Sequence, residues 1–182
     1  MNIVEAITGR RSVREYTDEP VNVETIDSLI EAAILAPNAV NQQPWTFTVV
    51  RDQHLLDRIS QAAKAHMLAG QHADRFRDHL SDQDFHIFYH APALILISAA
   101  KQGPWIVEDC ALAAENLMLC AYAAGLGSCW IGFAQAYLNT SEGKNALGLP
   151  DACVPVAPII IGHPKAMSPA VARNMPEVRW VG

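Results

Sequence analysis

The stretch Ala91-Pro92-Ala93-Leu94-Ile95-Leu96-Ile97-Ser98-Ala99 decides how this chain folds. Pro92 breaks what precedes it, and the seven residues that follow carry no charge and no alternation of polar with apolar positions. A strand with one wet face alternates, whereas a strand covered on both faces reads as an unbroken apolar run. Residues 93–99 are therefore expected to form a central strand, with layers packed on either side of it.

Three other segments can pair with such a strand. Trp45–Val50 is aromatic and β-branched, Pro155–Gly162 is a second apolar run, and Gly127–Phe133 reads as a short strand or extended turn. Helices supply the covering layers. Asn2 with Glu5 is a capping pair for a short helix over 3–8 that Gly9 stops. Ile26, Leu29, Ile30, Ala33 and Ile34 share one face of a helix over 23–36, closed by Pro37. The stretch 54–80 has a helical but charged pattern with a thin apolar stripe, so it is expected to be partly exposed and mobile. Glu108–Ala124 is rich in Ala and Leu, which predicts a largely buried helix ended by Gly125 and a candidate half of a subunit contact. Tyr137–Ala146 reads as a polar helix. Strands and helices are mixed without strict βαβ alternation, which predicts an α+β fold. No repeat or low-complexity linker divides the chain, so 1–182 is expected to be one domain.

Bulk chemistry narrows the function. The 182 residues carry a net charge of −6, and no stretch gathers Lys or Arg into a face that could follow a phosphate backbone, which argues against nucleic acid. The opening Met1-Asn2-Ile3-Val4-Glu5 places a carboxylate inside what an export signal would keep apolar, so a cytoplasmic protein is expected. The longest apolar run is about ten residues, roughly half of what spans a bilayer, so no membrane helix is expected. Cys110, Cys120, Cys129 and Cys153 form no CxxC pair, which fits reduced thiols packed in a core. His86 and His90 have i,i+4 spacing, but no acidic residue completes an HExxH motif, and no metal is expected.

Nucleotide motifs fail in an instructive way. Gly125-Leu126-Gly127 begins like a dinucleotide fingerprint, yet Trp130 stands at the third glycine position. Gly127–Gly132 has phosphate-loop spacing, yet Phe133-Ala134 follows where Lys and a hydroxyl residue would be needed. Two other segments carry usable chemistry. Arg10-Arg11-Ser12-Val13-Arg14 sets three guanidiniums just after a helix end, and in an extended backbone Arg10, Ser12 and Arg14 point to one side. Guanidiniums bind phosphate oxygens in bidentate, charge-assisted pairs, although a solvated surface cluster is the plainer reading of such a run. Between a helix and a strand, Pro37-Asn38-Ala39-Val40-Asn41-Gln42-Gln43-Pro44 offers side-chain amides, which match the alternating donors and acceptors of a flavin's pyrimidine ring or serve simply as turn residues.

Taken together, these segments resemble the nitroreductase family over essentially the whole chain. The resemblance rests on Arg10-Arg11-Ser12-Val13-Arg14, on Ala36-Pro37 with Asn41-Gln42-Gln43-Pro44-Trp45, on Ala91-Pro92-Ala93, on Gly125 to Gly132, and on Gly162-His163-Pro164 with Arg173. It implies a central, mostly antiparallel sheet flanked by helices, in an interlocked homodimer with two FMN sites at the subunit interface. It implies that Arg10, Ser12 and Arg173 hold the FMN phosphate, that Arg14 lies toward flavin N1 and O2, and that Pro37, Asn38, Ala39 and Asn41 come from the partner chain. Trp130-Ile131-Gly132 would form the turn whose backbone N–H faces N5. The implied chemistry is ping-pong transfer of hydride from NADH or NADPH through flavin N5 to a small electron-poor acceptor such as a nitroaromatic or quinone, with no catalytic acid or nucleophile from the protein. An ene-reductase or reductive dehalogenase on the same fold, or a non-catalytic FMN carrier or sensor, are the alternatives. The chain departs from the family pattern at Val171, where a second basic residue is often found, which would shift the phosphate onto Arg10 and Arg11. It departs again at Asn38, where Ser is frequent, and 64–80 carries no assignable motif.

Overall fold

The computed structural model describes residues 1–70, 76–166 and 168–182. Four strands, β1 (Trp45–Val50), β2 (Ala93–Ala99), β3 (Gly127–Trp130) and β4 (Val154–Gly162), form one sheet in the order β1-β2-β4-β3, with every neighbouring pair antiparallel. β2 lies inside the sheet and all seven of its residues are buried. Their side chains divide between two cores. Ile95 and Ile97 pack with Ile26 and Leu29 of α2 (Val23–Ala33) and with Leu117 and Ala121 of α5 (Ile106–Ala123). Leu94 and Leu96 pack with Leu56 and Ile59 of α3 (Gln53–Ala69) and Leu138 of α6 (Gly132–Leu138). Period-two alternation thus feeds two apolar layers, which is why no charge interrupts the run and its one polar residue, Ser98, is small and buried. Each such side chain, fully buried, contributes about 1.5–3 kcal/mol relative to exposure.

Local signals explain most boundaries. Asn2 and Glu5 form a reciprocal capping box at α1 (Ile3–Gly9), with the Glu5 N–H donating to Asn2 Oδ1 and the Asn2 N–H to the Glu5 carboxylate, both at 2.9 Å. The helix expected over 23–36 is shorter, because α2 ends at Ala33 and residues 34–36 turn out of it; a proline at 37 disfavours helical backbone in the residue before it. The helical stretch expected over 54–80 resolves into α3 and the short α4 (Arg77–Ser81), while 71–75 lie outside the described residues. The extended segment expected over 127–133 stops at Trp130, and Phe133 is already in α6. The single helix expected over 137–146 is in fact the end of α6 and a separate α7 (Ser141–Ala146). The break falls where the Thr140 hydroxyl accepts from the Gly143 N–H at 3.1 Å, capping α7 anew. No described helix is long and apolar enough to cross a membrane.

What positions the site is the way the two ends of the chain run together. Residues 12–13 add to the β3 edge: Ser12 bridges Ser128 in parallel, and the Val13 N–H donates to the Ser128 carbonyl at 3.0 Å. That approach requires Gly127, since a Cβ there would lie 2.7 Å from Val13 Cβ. Farther along, the Thr17 N–H donates to the His163 carbonyl (2.9 Å), the Lys165 N–H to the Glu15 carbonyl (3.0 Å), and the Ser168 hydroxyl to the Ser12 carbonyl (3.3 Å). The residues after β4 are thereby laid alongside the arginine segment.

Candidate active site

Because of that pairing, arginines from both ends of the chain face one cavity. It measures about 220 Å³ and is lined by Arg10, Arg11, Ser12 and Arg14 together with Ser168 and Arg173, with Val171 also in its wall. Among the described residues no carboxylate lines it. Arg10 begins where α1 ends, its N–H closing the helix on the Ala6 carbonyl at 2.9 Å. Its Nε is buried without a hydrogen-bond partner, and the nearest carboxylate oxygen in contact, Glu115 Oε1 on α5, is 3.7 Å away. A buried guanidinium N–H left unpaired is costly unless a ligand satisfies it. Arg11 is differently employed. Its Nη1 donates to the Thr8 and Arg10 carbonyls, each at 2.7 Å, so part of its guanidinium is committed to the end of α1.

A second cavity adjoins through Arg14, which lines both. This cleft of about 400 Å³ is walled by Trp130, Ile131, Gly132 and Phe133, where β3 passes into α6, and by Met67, Phe76 and Tyr89. Ile131 is fixed by its N–H donating to the Pro158 carbonyl at 2.8 Å. Phe133 is the hub of the aromatic wall: Phe76 packs edge-on to it at 5.3 Å between centroids and Phe85 at 6.2 Å, while Phe85 in turn meets Tyr89 at 5.7 Å. Such a wall suits a flat, polarisable guest. Among the described residues lining the cleft, Cys129 is the one thiol. Burial pushes the Cys129 thiol up, against the opposing pull of Arg14 and a Ser12 hydrogen bond, so it stays protonated at neutral pH.

The nitroreductase family's sequence profile matches residues 7–163, which includes both walls of the cleft and the whole Arg10–Arg14 segment. The chain belongs to the nitroreductase family. An Archaeoglobus fulgidus protein named for NADH dehydrogenase/NAD(P)H nitroreductase activity is 33% identical over 87% of this chain and 83% of its own length. An FMN reductase [NAD(P)H] of Bacillus subtilis is 30% identical over 89% of this chain and 66% of its own. The fold superimposes on that of an FMN-bound nitroreductase from Bacteroides fragilis with a TM-score of 0.89, at 24% identity and full coverage of both chains.

Within this nitroreductase-family chain, not every candidate residue gathers at the two cavities. Arg10, Arg11, Ser12, Arg14, Arg173, Trp130, Ile131 and Gly132 do. Pro37, Asn38, Ala39 and Asn41 do not line either one; they form a turn between α2 and β1. That turn is held rigidly. Buried Asp109 on α5 accepts from the Ala39 N–H at 2.9 Å, Asn38 Oδ1 accepts from the Gln43 N–H at 2.8 Å, and the Gln43 amide donates to Asn41 Oδ1 at 3.0 Å. Val40, Asn41 and Gln43 all take left-handed backbone (φ 46°, 55° and 45°), strained for non-glycine residues and most of all for β-branched Val40.

Three features had no signal in the sequence. Glu115 faces Arg10, and Tyr89 contacts Arg14, across separations that no local pattern reports. Asp57, His86 and His90 also come together, Asp57 arriving from α3. The Phe88 N–H donates to His86 Nδ1 at 3.2 Å, so the neutral ring carries its hydrogen on Nε2, which sits 3.2 Å from Asp57 Oδ1, and the His90 ring stacks on it at 4.3 Å. The three offer side-chain ligand atoms within 4.8 Å of one another, in a clasp joining α3 to the turn before β2.

Proposed function

We propose that this chain is an FMN-dependent oxidoreductase that carries hydride from NADH or NADPH to a small, flat, electron-poor acceptor. The observation that supports it best is the juxtaposition of a cationic cavity and an aromatic cleft, joined at Arg14. The residues fit FMN. A phosphate in the smaller cavity meets Arg10, Arg173 and the Ser12 hydroxyl, with Arg11 beside them, and gives the buried Arg10 Nε an acceptor. Trp130, Ile131 and Gly132, in the wall of the larger cleft, would hold the isoalloxazine. FMN held there would supply two-electron redox chemistry.

The protein's part is to bind, orient and balance charge. Arg14 places a cation between the cavities, where it would stabilise negative charge on a reduced flavin. The Ile131 N–H is tied to Pro158, which leaves the Trp130-to-Gly132 backbone rigid beside the reacting edge. Phe76, Phe133 and Tyr89 exclude water and favour planar guests in the position that nicotinamide and acceptor occupy in turn. No side chain serves as acid or nucleophile in this reading.

The working unit in this reading is a homodimer of single-domain chains, cytoplasmic, with Pro37, Asn38, Ala39 and Asn41 of the partner subunit completing each site. Apolar surface favours it: Ile3, Val4 and Ile7 on α1, Val107 and Leu112 on α5, and the C-terminal tail, where Met175 is 92% and Trp180 91% exposed, place large apolar side chains at the surface. The strained Pro37–Gln43 turn, rigid yet outside its own chain's cavities, has a role if it faces a partner. Anaerobic mixing of the FMN-loaded protein with NADH or NADPH tests the function: the visible flavin absorbance bleaches and returns on adding a quinone or nitroaromatic. Flavin that stays oxidised with both nucleotides contradicts turnover and leaves a carrier.

A further inference from the structure

One wall of the cationic cavity comes from the tail that follows β4. Ser168, Pro169, Val171 and Arg173 line it there, facing the Arg10–Arg14 segment. Proline and valine side chains donate no hydrogen bond, so what these four residues offer an anion is the Arg173 guanidinium and the Ser168 hydroxyl. Arg173 is an expected phosphate partner. Ser168 belongs to no motif, and its place in the wall follows from the fold alone.

Backbone pairing carries the serine to the cavity: the Lys165 N–H donates to the Glu15 carbonyl at 3.0 Å, and Ser168 follows three residues later. Pro169 then disfavours helical backbone at Ser168, which keeps the chain extended along the wall. The half-buried hydroxyl donates to the Ser12 carbonyl at 3.3 Å, in the middle of the arginine run. That bond is long, since O–H···O bonds cluster near about 2.7–2.8 Å. A hydroxyl hydrogen turns freely about its C–O bond, and a bond to an ionised oxygen is about twice as strong as one to a neutral acceptor. A phosphate among the guanidiniums is therefore a better acceptor than the carbonyl that Ser168 now meets.

We propose that Ser168 is a further phosphate-binding residue, whose hydroxyl turns from the Ser12 carbonyl to donate to an oxygen of the FMN phosphate. The proposal rests on the FMN reading above and extends the cup to a neutral donor on the tail. Val171 supplies none, so the serine adds to what Arg173 brings from the same side. The Ser12 carbonyl gives up a weak partner and, being half-buried, is open to water in its place.

The experiment titrates the full chain, freed of flavin, with FMN and with riboflavin, for the wild type, S168A, R173A and the S168A/R173A double variant. S168A should weaken FMN about fivefold, less than the loss of a guanidinium because a hydroxyl carries no net charge. Riboflavin, which lacks the phosphate, should bind S168A and wild type alike to within about twofold. The cycle separates a ligand from a tether: a hydroxyl that touches the phosphate still costs about fivefold in the R173A background, whereas one that merely places the tail acts through Arg173 and costs nothing once that arginine is gone. Unchanged FMN affinity in S168A overturns the proposal. So does a loss shared equally by riboflavin, or one that vanishes in R173A. Wild-type protein that binds no FMN fails at the earlier step and removes the flavin reading itself, a result distinct from tight FMN binding that S168A leaves untouched.

Discussion

The two cavities share one arginine and little else. The smaller is a cup of guanidiniums and hydroxyls assembled from residues more than 150 positions apart, while the larger is an aromatic slot assembled from β3, α6 and the turns facing them. The difference separates two tasks. Charge-assisted, bidentate contacts hold a phosphate tightly and say nothing about what reacts, whereas a flat apolar slot admits many planar guests weakly and decides which of them lie at the reacting edge. Tight retention of one ligand and loose selection of another therefore reside in different side chains, and substitutions should divide them.

The largest effect is expected at Arg10. Arg10→Ala should weaken FMN binding at least tenfold, since a charge-assisted contact is worth about 1.5–3 kcal/mol and a factor of ten is about 1.4 kcal/mol. Fluorescence titration of the apoprotein reads this directly; an unchanged dissociation constant would place Arg10 outside the site. A smaller effect of the opposite kind is expected in the slot. Phe133→Ala removes the hub of the aromatic wall and should raise KM for a planar acceptor about fivefold, close to the ~1 kcal/mol of an aromatic pair, with FMN affinity nearly unchanged. Steady-state kinetics at saturating nucleotide checks it, and equal losses in both quantities would mean that the two cavities are not separable.

The smallest effect is expected behind the slot, at His86, whose side chain is only 10% exposed. Burial, with help from His90, lowers its pKa. The unfolded chain therefore takes up the proton first as pH falls, and stability drops below about pH 6.5, levelling off once the folded-state histidine is protonated too. His86→Gln should flatten that part of the profile of Tm against pH and leave FMN affinity alone. A profile identical to wild type between pH 5 and 7 would show that the clasp contributes nothing to the acid side.

How far the sequence carried depended on whether the deciding contacts were local. β2 was legible because both of its faces meet apolar layers, and α1 because Asn2 and Glu5 cap each other three residues apart. Phe133 lies in α6 rather than in the extended segment because Gly132, which resembles the end of a turn, opens a helix, and Thr140 carries the cap signal that separates α7 from α6. Arg10 and Arg173 are joined by strand pairing and by Ser168 on Ser12, which leaves no periodic trace; only the family resemblance linked them. Tyr89, Glu115 and the Asp57 side of the histidine clasp were invisible for the same reason. The turn carrying Pro37, Asn38, Ala39 and Asn41 has a recognisable composition, but one chain alone does not reveal what it faces.

The central claim is that a phosphate cup formed by the two ends of one chain anchors the flavin. Titrating the apoprotein with FMN and, separately, with riboflavin tests it most directly, because the two ligands differ only in the phosphate. FMN should bind at least a hundredfold more tightly, on the order of 2.7 kcal/mol, and Arg10→Ala should shrink that ratio without changing riboflavin binding. Equal affinity for the two ligands would contradict the account.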